Sequence, residues 1–168
     1  ILFVILGFII LKGASVISWD FLTEAPQEGM TSGGIFPAIV GTLYLVIGSS
    51  LISFPIGIMS GIYMNEYATN GKLIRFIRIM TNNLSGVPSV VFGLFGMSLF
   101  VSTLGWGDSI IAGSFTLALM SLPLIIRTTE EALKSIDDSF RHGSLALGAT
   151  KLQTIRRVVL PMAFPNII

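Results

Sequence analysis

Three polar residues, Arg127, Thr128 and Glu130, follow an uncharged apolar stretch and could together bind an anion. A guanidinium donates two parallel hydrogen bonds that match the oxygens of an oxyanion, and a threonine hydroxyl can add another. Glu130 comes three residues after Arg127, so on a helix the two side chains share a face and are expected to pair. The alternative is that Arg127 only anchors the polar end of an apolar helix. The residue types leave both interpretations open.

Few other groups in the sequence could carry out catalysis. The 168 residues include no cysteine and one histidine, His142, which excludes a disulfide framework, a thiol nucleophile and a structural zinc site. The net charge is +1 and there is no dense basic run, so no nucleic-acid-binding surface is predicted. The sequence also lacks a Gly-rich phosphate loop ending in Gly-Lys-Ser/Thr, so it is not expected to hydrolyse ATP.

Composition indicates that membrane helices position Arg127, Thr128 and Glu130. Hydrophobic residues make up 52% of the chain and charged residues 11%, against roughly 25% charged in soluble domains. A helix needs about 20 mostly apolar residues to cross the hydrocarbon. Apolar stretches that approach or reach this length, or begin one, are 1–17, 35–64, 84–106, 109–126 and the run that opens at Val158.

These stretches predict an all-α, polytopic membrane protein. They do not alternate with period two, so helices rather than barrel strands must satisfy their backbone groups in lipid. The stretch 1–17 could instead be the apolar core of a signal peptide. The chain starts without methionine and stops inside an apolar run, so we expect it to be part of a longer protein.

The basic residues predict the orientation of the helices. Nine of the ten Lys and Arg residues fall in two segments, 65–83 and 127–157, whereas 18–34 has only acidic charges. The positive-inside rule places the two basic segments in the cytoplasm, and the N-terminus with them. Within 65–83, Lys72, Arg75 and Arg78 are spaced three apart and predict an amphipathic helix that meets anionic lipid, with a partner contact as the alternative.

The polar segment 130–161 is predicted to form amphipathic helices rather than a flexible loop. Asp137 and Asp138 favour a helix start, because carboxylates interact well with the positive end of the helix dipole. Gly148 favours a helix end, and Thr150 with Gln153 forms a capping-box pattern for the next helix. Apolar residues recur at three-to-four spacing along one side of this segment: Leu133, Ile136, Phe140 and Leu147.

A short helix bracketed by breaks suits one of two roles. Its apolar face could dock into a groove on a partner protein. It could equally lie on the lipid surface as an interfacial helix. Physical reasoning alone leaves both open.

This segment resembles the coupling loop of permeases of ATP-binding-cassette importers. The pattern of that loop is Glu-Ala-Ala, three residues, Gly, nine residues, Ile, one residue and Leu-Pro. The glycine and the Leu-Pro ending match in full, valine replaces isoleucine, and the opening triplet lacks its acid, so an ion pair from that acid is not expected. The corresponding residues here are His142, Gly143, Ser144, Gly148, Val158, Leu160 and Pro161.

Three further stretches resemble the phosphate permeases of these importers, and the A-type permeases most closely. They are 33–43, 86–96 and 127–131, so the resemblance covers nearly the whole chain. It implies a MetI-like transmembrane domain over 35–168, with about five of six helices present. Residues 1–34 would supply the first helix and the outer loop.

The resemblance also implies a function and a set of partners. The chain would form half of a phosphate pathway in a bacterial or archaeal plasma membrane, with Arg127, Glu130 and Thr128 along that pathway. A paired C-type permease, two cytoplasmic ATPases that bind ATP and magnesium, and a periplasmic or lipid-anchored phosphate-binding protein would complete the machine. This subunit itself would bind no cofactor.

Other functions remain to be weighed against this one. The same architecture could carry sulfate, molybdate, an amino acid or a sugar. A membrane scaffold without transport would need no bracketed helix at the coupling spacing. A transporter driven by an ion gradient would be expected to place acids or broken helices near the middle of the membrane, and the three well-defined stretches contain no charged residue.

The glycine pair Gly57 and Gly61 predicts a packing surface on the second stretch. This GxxxG spacing lets two helix backbones approach closely. Ordinary small-residue packing is the simpler interpretation, and a dedicated dimer contact is the alternative.

Overall fold

The computed structural model describes residues 1–14, 16–30, 32–68 and 71–167, and the fold is helical. It forms two compact units, Ile1–Val46 and Ile47–Ile168, which divide the chain within one long helix. The elements of the first unit are α1 (Leu2–Gly13), α2 (Trp19–Thr23), β1 (Pro26–Gln27), β2 (Ser32–Gly33) and the start of α3 (Phe36–Ile62).

The first unit contains a hairpin that the sequence did not predict. Its two-residue strands are antiparallel, with Pro26 opposite Gly33. Gly33 has a φ of +82°, and a Cβ there would collide with the Ala25 carbonyl oxygen, so glycine is required. α1 is 12 residues long, which is shorter than the apolar stretch that predicted it.

The second unit contains the remaining helices. They are the rest of α3, a π-helical turn (Tyr63–Tyr67), α4 (Lys72–Leu84), α5 (Ser89–Gly96), a second π-helical segment (Met97–Thr103), α6 (Ile110–Lys134), α7 (Asp138–Ala146), α8 (Lys151–Thr154), a third π-helical segment (Ile155–Val159) and α9 (Leu160–Ile167).

Two helices among the described residues are long and apolar enough to cross a membrane. They are Phe36–Tyr67, with 32 residues, and α6, with 25. The third predicted span is instead part of a bent pair, Ile74–Leu84 and Ser89–Thr103, with an angle of 101° between them. Pro88 precedes α5 and disfavours helical backbone at the residue before it, which accounts for the break.

Small residues hold α3 against α6 within the second unit. A Cβ at Gly57 would lie 2.6 Å from Ile125 Cγ2, and one at Gly61 would lie 2.7 Å from Thr129 Cβ. The predicted packing surface is confirmed, and its partner is α6 of the same chain. The C-terminal end of α6 packs on α9 and on the π-helical segment Ile155–Val159. The apolar core there consists of Ala132, Leu133, Ile136, Val159 and Ala163.

Candidate functional site

The predicted anion-binding residues all lie on the last turns of α6. This helix continues to Lys134, so the first part of the 130–161 segment is helix rather than loop. Arg127 is half-exposed, and its Nε donates to Glu131 Oε1 at 2.9 Å. The predicted pair of Arg127 with Glu130 is therefore wrong. Positions i+3 and i+4 both neighbour Arg127 on a helix, and the side chain of Glu130 turns inward instead.

Glu130 is buried between two other cations. Arg78 of α4 donates from Nε to Glu130 Oε1 at 3.2 Å, and Lys134 Nζ lies 3.9 Å from Oε2. Arg78 also donates to the Met64 carbonyl oxygen at 3.1 Å. Arg78 thus joins α4 to α6 and to the Tyr63–Tyr67 turn, so one of the three cations predicted to meet lipid is bound within the protein instead.

These side chains line an open pocket of about 340 Å³. Arg78 and, more loosely, Lys134 pair with a buried carboxylate, whereas the ion pair that Arg127 makes among the described residues is an exposed i,i+4 pair. Exposed pairs contribute about 0–1 kcal/mol, so Arg127 can exchange Glu131 for another anion at low cost. The pocket is lined by Met64, Arg78, Thr81, Asn82, Ile126, Arg127, Glu130, Glu131 and Lys134.

The neighbouring hydroxyls are engaged or buried. Thr128 Oγ1 lies 3.0 Å from the Leu124 carbonyl oxygen and 3.1 Å from that of Ile125, so it donates back into its own helix. Thr129 is fully buried at the α3–α6 contact, and its hydroxyl has no hydrogen-bond partner among the described residues. In this conformation neither hydroxyl proton is offered to the pocket.

The boundaries of α7 and α8 confirm the bracketed helix. Asp137 caps α7, with Ser139 N–H donating to its Oδ1 at 2.8 Å. Hydrogen bonds from the hydroxyl and the backbone N–H of Ser139 hold the pKa of Asp137 below its usual value. Gly148 follows α7 with a φ of +85°, and the Thr150–Gln153 capping box is fully formed.

The predicted apolar side of this segment is divided between two environments. Leu133 and Ile136 are buried, whereas Phe140 is 49% exposed and Leu147 is 91% exposed. The helical period does not continue from α6 into α7, because the connection 135–137 redirects the chain. The segment therefore has an inner apolar set in the core and an outer set that is open: Phe140, Leu145, Leu147 and Leu152.

The residues that match the coupling pattern are distributed over this bracket. His142, Gly143 and Gly148 are exposed, whereas Ser144 is half-buried and lies 2.9 Å from Thr154, hydroxyl to hydroxyl. Further along, Val158 and Leu160 are half-buried and Pro161 is exposed in the first turn of α9.

Sequence reasoning also missed the ion pair of Arg141 with Glu66. Arg141 NH2 lies 2.9 Å from Glu66 Oε1, and the two side chains are only 16% and 8% exposed. The two residues are 75 positions apart in the sequence, so no local pattern reveals the pair. A usable signal was Glu66 itself, an acid directly after the longest uncharged stretch.

Comparisons with known proteins agree with this architecture. Residues 53–168 match the family model described as "Binding-protein-dependent transport system inner membrane component". One relative, the "Probable ABC transporter permease protein YqgI" of Bacillus subtilis, is 38% identical over 96% of this chain and 55% of its own length. Another, the "Phosphate transport system permease protein PstA" of Mycobacterium leprae, is 35% identical over 98% and 55%.

A solved structure shares the fold. A chain of the inward-facing MetNI methionine ABC transporter has a TM-score of 0.62 and 25% identity, over 80% of this chain and 62% of that chain. The chain spans about half the length of the curated relatives it matches. On the family match over 53–168, the chain belongs to the binding-protein-dependent transport system inner membrane components.

Proposed function

We propose that this chain is the permease subunit of an ATP-driven importer and forms half of a translocation pathway for inorganic phosphate. In this proposal a cytoplasmic ATPase docks on α7. The permease undergoes conformational change and the ATPase carries out the hydrolysis.

The observation that carries the proposal is the open apolar surface of the bracketed helix. Phe140 and Leu145 on α7, and Leu147 directly after it, are exposed, whereas Leu133 and Ile136 before α7 are buried. Exposed apolar side chains on an ordered, capped helix favour docking into a groove on a partner. By the positive-inside rule we expect this surface, and the N-terminus, to lie in the cytoplasm, and we expect the membrane to be that of a bacterium or an archaeon.

Phosphate is supported by the pocket and by the names of relatives. Arg127 can bind an oxyanion bidentately once Glu131 releases it. Several relatives are called phosphate transport system permease proteins, including the one from Mycobacterium leprae. The structural relative belongs to a methionine transporter, so another substrate such as sulfate, molybdate or an amino acid is the alternative.

The proposal requires partners. They are a paired C-type permease, two ATP-binding subunits with their magnesium, and a periplasmic or lipid-anchored phosphate-binding protein. Glu130 would serve the pathway by holding Arg78 at the pocket. Thr128 would have to release its hydrogen bond into α6 before its hydroxyl could serve the pathway.

Labelled phosphate uptake tests the proposal in cells that lack high-affinity phosphate uptake. The full-length gene is expressed with its neighbouring subunits as wild type, Arg127→Ala or Arg75→Ala, with labelled sulfate as the control anion. Arg75 is an exposed arginine outside the pocket and serves as the matched variant.

We expect wild type and Arg75→Ala to take up phosphate but not sulfate, and Arg127→Ala to lose uptake while the complex still assembles. A wild type that imports another solute instead would overturn the substrate. Normal uptake by Arg127→Ala would mean that Arg127 only anchors the polar end of α6 and does not bind the substrate.

A further inference from the structure

The π-helical turn Tyr63–Tyr67, at the end of α3, is contacted by three separate helices of the second unit. Arg78 of α4 donates to the Met64 carbonyl oxygen. Arg141 of α7 binds Glu66, and Lys151 of α8 lies 5.0 Å from the centre of the Tyr67 ring. Two of these three contacts come from the bracketed segment that carries the open apolar surface.

Arg141 is the most extensively bonded of these cations. Its Nε and NH2 donate to Glu66 Oε1 at 3.2 and 2.9 Å. NH1 donates to the Ile136 carbonyl oxygen at 2.8 Å and to Asp138 Oδ1 at 3.0 Å, and NH2 also donates to the Leu133 carbonyl oxygen at 2.8 Å. One guanidinium therefore joins the end of α3, the end of α6 and the start of α7.

Burial makes this linkage strong. Glu66 is 8% exposed, and separating a buried pair leaves an uncompensated charge, so the pair resists opening when α7 is pushed. By contrast, Asp138 is 79% exposed and contributes little to holding the same guanidinium. Lysine could not replace Arg141, because an ammonium lacks the planar fork that reaches several acceptors at once.

Arg141 supplies the hydrogen bonds that tie α7 to the Tyr63–Tyr67 turn. The covalent connection from α6 to α7 is the short stretch 135–137. No residue of α7 is buried, so α7 has no apolar core contact of its own to fix its direction. α7 lies against α8 and the Ile155–Val159 segment, where the Ser144–Thr154 hydroxyl pair forms, and Arg141 links it to α6 and to the Tyr63–Tyr67 turn.

We propose that Arg141 is a positioning residue that makes α7 and the Tyr63–Tyr67 turn move as one body. A push on the open face of α7 is then delivered through Glu66 to α3, the longest membrane helix described. The inference rests on the proposed function and adds to it the route by which the ATPase acts on the membrane helices.

The test is the amount of phosphate transported per ATP hydrolysed by the complete importer in proteoliposomes. The variants are Arg141→Lys and Glu66→Gln, with Asp138→Asn as the matched control on the exposed side of the same guanidinium. A variant that carries both Arg141→Lys and Glu66→Gln completes a thermodynamic cycle. Assembly is measured by co-purification of the ATPase.

We expect Arg141→Lys and Glu66→Gln each to lower the transport ratio by about fivefold or more while ATP hydrolysis persists. The double variant should be no worse than either single one, because both remove the same linkage. Asp138→Asn should keep the wild-type ratio.

Two results would overturn the inference. One is an unchanged ratio in Arg141→Lys and Glu66→Gln. The other is a parallel loss of uptake, hydrolysis and assembly, which would mean a structural role only. Failure of the proposed function would appear elsewhere, as absence of phosphate uptake by the wild type.

Discussion

α3 meets α6 and its neighbours in two different ways within the second unit. Along its apolar length it uses glycines, with Gly57 against Ile125 and Gly61 against Thr129. At its polar end it uses charges, with Arg78 and Arg141 reaching the Tyr63–Tyr67 turn. The apolar contact depends on shape and tolerates no added volume. The polar contact depends on paired charges and can transmit force between helices that are not adjacent in sequence.

The largest effect is expected from adding volume to the glycine contact. Gly61→Leu would put side-chain atoms where Thr129 and the Ile126 carbonyl oxygen already lie, and neither can move far. The protein should therefore fail to fold or lose several kcal/mol of stability. This loss exceeds the ~1–3 kcal/mol typical of overpacking. Size-exclusion chromatography and thermal unfolding in detergent measure this.

The matched control is the same substitution on the same helix at Gly41, which has open space around its Cβ position. Gly41→Leu should give folded, monodisperse protein. If both leucine variants behave alike, the tight α3–α6 contact is not what restricts Gly61.

Two adjacent glutamates of α6, Glu130 and Glu131, should contribute different amounts to the stability of the protein. Glu130→Gln leaves Arg78 without its carboxylate and should cost about 2–3 kcal/mol, below the fully buried range because Arg78 is one-third exposed. Glu131→Gln removes only an exposed i,i+4 pair and should cost under about 0.5 kcal/mol. Thermal unfolding of the two variants gives the comparison, and equal losses would contradict the different burial of the two side chains.

Alanine substitutions at two glycines of the bracketed segment should change the stability of α7 in opposite directions. Gly148→Ala forces a left-handed backbone onto alanine and should destabilise the end of α7 by about 1–2 kcal/mol. Gly143→Ala lies inside α7 with open space beside it and should stabilise the helix by about 0.5–1 kcal/mol. Amide hydrogen exchange in α7 reports both changes. Loss of protection in Gly143→Ala would show that its backbone is not helical.

The smallest effect is a pH dependence at the start of α7. The lowered pKa of Asp137 means that its carboxylate stabilises the folded form. That contribution is fully present above the ordinary value of 3.8 and is lost as the pH falls through the lower folded value. Amide exchange in the first turn of α7 should rise only in that acidic range, beyond the intrinsic pH dependence. Asp137→Asn should remove this extra step, and a step that survives in Asp137→Asn would belong to another group.

The same contrast explains what could be predicted from the sequence. The glycine contact, the Gly148 stop and the Thr150–Gln153 capping box are local patterns, and each is confirmed. The helical membrane character also follows from composition. In lipid, the backbone N–H and C=O groups of long uncharged stretches that lack strand alternation can be hydrogen-bonded only within helices.

The polar end could not be predicted, because it depends on which side chains tertiary packing brings together. Glu130 and Glu131 are both helical neighbours of Arg127, and only the position of Arg78 on α4 decides which one turns inward. Arg141 and Glu66 meet across 75 residues of sequence. Pro88 explains why the helix breaks before α5, but the 101° angle of the bend does not follow from that residue alone.

ATP-dependent accumulation of labelled phosphate in proteoliposomes tests the central claim most directly. The complete importer is supplied with phosphate-loaded binding protein outside and ATP, or a non-hydrolysable analogue, at the ATPase side. The account predicts accumulation with ATP, none with the analogue and none for sulfate. Accumulation driven by an ion gradient without ATP, or ATP-driven import of a different solute with phosphate excluded, would contradict it.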